Sequence, residues 1–176
     1  MTAADGDAQD RDLFAVWVHE HGGAVRGFLR ARVQSPEAAD DLSQEAFRRA
    51  WAARRRYREQ GNARAYLLRI ADRLARDHHR ARKPVNLDES GWQRHEPFSP
   101  AAEPSRAAVL AEEIQKLNSV MTQLSPLQQR VLLLRYYGQL SFAEIAEIMG
   151  CPLNTALSHC RRGLETLRKL LVEKEP

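Results

Sequence analysis

Apolar residues recur along this chain at intervals of three and four, the spacing that lays one face of an α-helix against a core. Leu13, Phe14, Trp17 and Val18 begin such a stripe, and Val25, Phe28, Leu29 and Val33 carry one beyond Gly22-Gly23. Each glycine costs a helix about 1 kcal/mol relative to alanine, so a break is expected at the pair. Ser35-Pro36-Glu37 then supplies an N-cap, a first-turn proline and a carboxylate suited to the positive helix end. The helix it opens is expected to run to about Arg56 and to bury Leu42, Ala46, Phe47 and Trp51. From about Ala63 a further helix turns Tyr66, Leu67, Ile70 and Leu74 inward. Its outer faces carry Arg64, Arg69, Arg73, Arg76, Arg80 and Arg82.

The stretch 84–106 has no sustained helical stripe and holds Pro84, Pro97, Pro100 and Pro104, which makes it a linker. Helical spacing resumes with Val109, Ile114, Leu117, Val120 and Leu124. Ser125-Pro126-Leu127-Gln128 is a capping box with proline at the first helical position, opening a helix through about Tyr137. Ser141 and Glu144 repeat the device for a short helix that presents Phe142, Ile145, Ala146 and Met149 to a core and stops at Gly150. A short helix, a glycine corner and a longer helix make a helix-turn-helix candidate. No alternating run is long enough to propose a sheet, so the chain reads as all-α, with two small helical domains at 1–84 and 107–176 joined by a flexible linker at 85–106.

The last helix can be read by angle, at about 100° per residue from a start near Leu153. Leu153, Ala156, Cys160, Leu164, Leu167 and Leu171 fall on one stripe, the expected core side, with Leu157 at its margin as a packing residue. The opposite face holds Asn154, Thr155, Ser158, Arg161, Arg162 and Glu165, with His159 on the flank. Small polar groups near an N-terminus with two arginines behind them suit a helix entering a major groove.

Charge sharpens this picture. Residues 46–83 hold thirteen Lys or Arg against Glu59, Asp72 and Asp77, a net +10 within a chain whose total is only +4. Such a block points to a polyanion partner. No apolar run approaches the roughly 20 residues that span a bilayer, and the acidic start lacks the basic and apolar regions of a signal peptide. A soluble cytoplasmic protein without direct membrane insertion is therefore expected. The two cysteines, Cys151 and Cys160, offer neither a disulfide framework nor CxxC metal spacing. Asp77-His78-His79 spells a phosphoesterase triplet, but adjacent side chains on a helix diverge by about 100° and do not converge on an ion. No catalytic residue, metal, cofactor or small-molecule substrate is expected.

Three stretches in order resemble the extracytoplasmic-function sigma factors of bacterial RNA polymerase. AADDLSQEAFRRAW at 38–51 is similar to the family's acidic signature, ARAYLLRIADRLARDHHRARK at 63–83 to its following helix, and 124–169 to its C-terminal module. The resemblance implies a promoter-specificity subunit. Its first domain would dock on core polymerase through Asp40, Asp41, Gln44 and Glu45, supported by Leu42 and Phe47. The basic helix and the loop from Tyr57 to Ala65 would handle the melted minus-ten strand through Arg58, Asn62, Arg64, Tyr66, Arg69, Arg73, Arg76 and Arg80. The second domain would lay Asn154, Thr155, Ser158, His159, Arg161 and Arg162 on the minus-thirty-five element. An anti-sigma factor is a further implied partner. The chain departs from the family at Tyr66, where Trp is usual, at Arg73, where Asn is frequent, and at Leu157 and His159, where the common pattern has cations. A stand-alone helix-turn-helix regulator explains 124–171 equally well but leaves the acidic signature and the basic block without a task. A helical protein-binding adaptor leaves the basic block unexplained.

Overall fold

The computed structural model describes residues 3–33, 35–54, 57, 62–81, 116, 117 and 119–172. Helices with both ends among them are α1 (Ala3–Val33), α2 (Pro36–Ala52), α3 (Ala63–Ala81), α4 (Pro126–Tyr136), α5 (Phe142–Met149) and α6 (Leu153–Val172), and residues 119–121 are helical as well. No strand occurs among the described residues.

α1, α2 and α3 pack on one another around Val25, Phe28 and Leu29, all fully buried. α2 and α3 meet this apolar ridge largely with alanines: Ala39, Ala46 and Ala50 from α2, Ala71 and Ala75 from α3. At one end the core becomes aromatic. The Trp17 and Tyr57 rings lie 4.8 Å apart, Tyr57 and Tyr66 4.6 Å, and Phe14 and Trp51 5.1 Å, with the Arg54 guanidinium 4.0 Å over the Trp51 ring. The expected break at Gly22-Gly23 does not occur, and α1 runs through it unbroken. Burying Phe28 and Leu29 is worth about 1.5–3 kcal/mol each, more than two glycines cost a helix whose two halves face the same partners. α2 stops at Ala52, short of Arg56, and the chain turns so that Tyr57 joins the aromatic cluster. Its buried line is Ala39, Ser43, Ala46 and Ala50, while Leu42, Phe47 and Trp51 are half-buried.

In the second domain α4 and α5 start with the same local device. The Ser125 N–H donates to Gln128 Oε1 at 3.0 Å while Ser125 Oγ accepts from the Gln128 N–H. The Ser141 N–H donates to Glu144 Oε2 at 2.7 Å and Ser141 Oγ accepts from the Glu144 N–H. α5 ends at Gly150, whose φ of 66° is the left-handed value that glycine adopts without strain. Inside the domain, α5 buries Ile145, Ala146 and Ile148, with Phe142 and Met149 half-buried.

On α6 the buried line is Ala156, Cys160, Gly163 and Leu167. Leu153, Leu164 and Leu171, expected in the core, are 47%, 40% and 40% exposed, and Leu157 is 39% exposed. The reason is the crossing with α4, where a Cβ on Gly163 would stand 3.0 Å from Leu132 Cδ1. Close approach at this glycine goes with a buried face turned by about 30° from the expected stripe, of which Ala156, Cys160 and Leu167 remain buried. Glycine carries no hydropathy signal, so the pattern pointed at the leucines.

The domains also pack on each other, α1 against α4 and α3 against α5. At the centre of this contact Asp72 of α3 is fully buried and receives Arg130 of α4 in a two-pronged pair, Nε to Oδ1 at 2.7 Å and Nη2 to Oδ2 at 2.6 Å. Desolvation makes such a pair cost nearly what it returns, so its burial by itself adds little stability.

Candidate functional site

Three surfaces hold the residues singled out by the sequence. The first is the outer face of α2. Positions 40, 41, 44 and 45 share it by helical spacing, with Leu42 and Phe47 half-buried alongside. Asp41 and Gln44 are exposed. Asp40 is held by two arginines of α1, Arg26 Nε at 3.1 Å and Arg30 Nη2 at 3.3 Å. Glu45 accepts from Arg49 Nε at 2.6 Å and from Arg48, and these two hydrogen bonds, Arg49's first, hold its carboxyl below the usual range. The face therefore presents two oriented carboxylates around an exposed acid and amide. A cleft of about 580 Å³ beside it is lined by Asp40, Gln44, Phe47 and Gly27, with Tyr137 from the end of α4 at its edge.

The second surface is α3. Arg69, Arg73, Arg76 and Arg80 lie exposed along one row at four- and three-residue spacing. Arg76 leans back to Asp72 at 3.3 Å and Arg80 to Asp77 at 3.8 Å. Asn62 is exposed and Arg64 half-exposed at the start of the helix, while Arg58 and Arg82 lie outside the described residues. Tyr66 is packed against Tyr57 rather than splayed outward, and burial pushes its hydroxyl pKa up.

The third surface is the side of α6 opposite its buried line. Asn154, Ser158, Arg161 and Arg162 are exposed there, with Thr155 and His159 half-exposed. Ser158 Oγ donates to the Asn154 carbonyl at 2.7 Å and Arg162 Nε to the Ser158 carbonyl at 3.2 Å, so backbone contacts orient both side chains. Arg161 pairs with Glu165 at 2.9 Å, which raises its pKa further.

Two residues that sequence reasoning missed are Asp72 and Arg130. Asp72 entered only as one acid in a basic block, yet it sits one turn from Leu68 and Ala75 on the inward face of α3. A carboxylate inside an apolar stripe is itself a signal, because a buried charge demands a partner. The His78 and His79 ring centroids are 6.2 Å apart, and His79 Nε2 lies 2.7 Å from the Arg32 carbonyl. Among the described residues no group of His, Cys, Asp or Glu is arranged to hold a metal, and no helix is long and apolar enough to cross a membrane. Cys160 is buried in the helix stripe, and burial pushes its thiol pKa up.

Family models match in the order that these surfaces suggest. Sigma-70 region 2 matches residues 17–85, and Sigma-70 region 4 matches residues 114–167. This makes the protein a two-domain chain of the sigma-70 class. Relatives include the ECF RNA polymerase sigma factor SigK of Mycolicibacterium vanbaalenii, 24% identical over 164 residues that cover 93% of this chain and 84% of its own. The ECF sigma factor SigC of Mycobacterium tuberculosis is 29% identical over 188 residues, covering 100% of this chain and 97% of its own. Among solved structures, the sigma factor RpoE in complex with the anti-sigma factor NepR from Bartonella quintana matches with a TM-score of 0.70 at 20% identity, over 94% of this chain and 98% of that one, and so shares the fold. The chain belongs to the extracytoplasmic-function (ECF) sigma factors, which direct RNA polymerase to promoters.

Proposed function

We propose that the three surfaces divide the work of this sigma factor between its domains. The acid and amide face of α2, with Asp40, Asp41, Gln44 and Glu45, docks on core polymerase. The arginine row of α3, with Asn62, Arg64 and Tyr66, follows the phosphates of the melted minus-ten strand, and Arg58 joins it from outside the described residues. The polar face of α6 enters the major groove at the minus-thirty-five element, where Asn154, Thr155 and Ser158 meet base edges while His159, Arg161 and Arg162 meet phosphates. A linker at 85–106, also outside the described residues, separates the domains. The polymerase performs the chemistry, the chain supplies no catalytic residue, and both act in the cytoplasm. An anti-sigma factor is a proposed partner, supported by the solved complex of RpoE with NepR.

The observation that carries this reading is the succession, on one chain, of an acidic exposed face, a row of exposed arginines and a polar helix face turned away from its own core. A stand-alone regulator has no use for the first two. Reconstituted transcription with sigma-free core polymerase on a promoter library is the test. The chain confers selective initiation if the reading holds, whereas duplex binding without initiation would favour the regulator. In the same assay Arg161→Ala with Arg162→Ala is expected to weaken minus-thirty-five binding and to flatten its logarithmic salt dependence by about 0.9 for each phosphate that is no longer neutralised. An unchanged slope would remove these arginines from the interface.

A further inference from the structure

We propose that Leu157 is a specificity-determining residue of the minus-thirty-five interface, and that it selects a thymine by packing on the C5-methyl group in the major groove. The inference rests on the assignment of the α6 polar face to that element and deepens it.

Leu157 is one of four α6 leucines at the surface, 39% exposed against 40% for Leu164 and Leu171 and 47% for Leu153. Its place sets it apart. At about 100° per residue it stands about 40° from Arg161 and about 60° from Asn154, so it borders the proposed DNA face. Leu153 is turned about 40° further from that face, and Leu164 lies about 10 Å further along the helix, away from the N-terminal turns that meet base edges.

Leu157 also lines a groove of about 400 Å³ with Phe142 from the start of α5, Cys160 and Leu164. Arginines rim it. Arg161 and Arg168 are among the lining residues, and the Arg135 guanidinium lies 5.2 Å from the centroid of the Phe142 ring. The acid of the lining, Glu165, is paired with Arg161 at 2.9 Å. An apolar strip inside a cationic rim matches a duplex, in which thymine methyl groups stand in the groove between two lines of phosphates. A wholly apolar partner would leave those arginines unmatched.

The neighbouring polar groups strengthen the assignment. Ser158 Oγ donates to the Asn154 carbonyl at 2.7 Å, Arg162 Nε donates to the Ser158 carbonyl, and Arg161 is held by Glu165. Donors on this face are thus partly committed within the helix, which limits what they read by hydrogen bonding. A leucine carries no donor or acceptor and discriminates by shape. It favours thymine over cytosine, which presents an amino donor and no methyl group.

Selection from a duplex library by the full-length chain bound to core polymerase yields the preferred upstream element. Each thymine of that element is then replaced by deoxyuridine, which keeps the pairing and lacks only the methyl group, and affinity is measured by fluorescence anisotropy. One replacement is expected to weaken the parent's binding about fourfold, the value of one buried methyl group. Leu157→Ala is expected to bind the unmodified duplex about fourfold more weakly than the parent and to be indifferent to deoxyuridine at that position, so that the two losses do not add. Leu157→Lys is expected to lose the thymine preference in selection and to steepen the logarithmic salt dependence by about 0.9 through a new phosphate contact. Because the side chain is exposed, both variants keep the parent's helical circular dichroism. A preferred element whose thymines all tolerate deoxyuridine, or a Leu157→Ala chain that still responds to the swap, overturns the role of Leu157 and leaves the assignment of α6 standing. Loss of core-polymerase binding in Leu157→Ala with duplex affinity retained makes it a protein-docking residue and overturns the proposal. A library that yields no upstream preference overturns both.

Discussion

Asp41→Ala combined with Gln44→Ala is expected to weaken the binding of this chain to core polymerase by about a hundredfold or more, measured by pull-down or by titration of labelled chain. Both residues are exposed on the outer face of α2, where neither takes part in the core. Their removal leaves the thermal midpoint within about 4 °C, because exposed substitutions of this kind change stability by less than about 0.5 kcal/mol each. A residue central to an interface costs about 2 kcal/mol or more on truncation, and two of them exceed the factor of ten that 1.4 kcal/mol represents. Asp40 is a poorer test, since its loss would also break the ion pairs that Arg26 and Arg30 make with it. Binding within twofold of the parent would move the docking surface off this face.

The second large effect concerns the frame that holds that face. Phe28→Ala empties a fully buried site where α1 meets α2 and α3, at an expected cost of about 3–5 kcal/mol. Against the 5–15 kcal/mol that a native domain holds in reserve, this lowers the melting temperature by more than about 10 °C, read by circular dichroism or calorimetry. Leu13→Ala, on the same helix but 42% exposed, is the control and should shift stability little. Comparable losses in the two variants would mean that Phe28 does not sit at the centre of the core.

The helix starts were legible because their causes are local. Ser35, Ser125 and Ser141 each cap a helix through contacts within three residues, and each helix begins where those residues say it should. The exposed candidates on α2, α3 and α6 were legible for the same reason, since helical spacing alone puts them on outer faces. What escaped depends on residues far apart in the chain. Gly22-Gly23 reads as a break until Phe28 and Leu29 are seen to share a core with Trp17. The leucines of α6 read as core until Gly163 is seen against Leu132. Asp72 and Arg130 are separated by 58 positions, and no local pattern joins them.

The paired capping boxes at Ser125 and Ser141 also bear on how quickly the C-terminal half takes shape. Each fixes a helix origin from side chains three positions apart, so the register of α4 and α5 is settled before any distant segment must be found. Chains dominated by such short-range closures typically collapse to their native form in microseconds to milliseconds. For a promoter-directing protein, local helix starts of this kind favour rapid folding of its C-terminal helices.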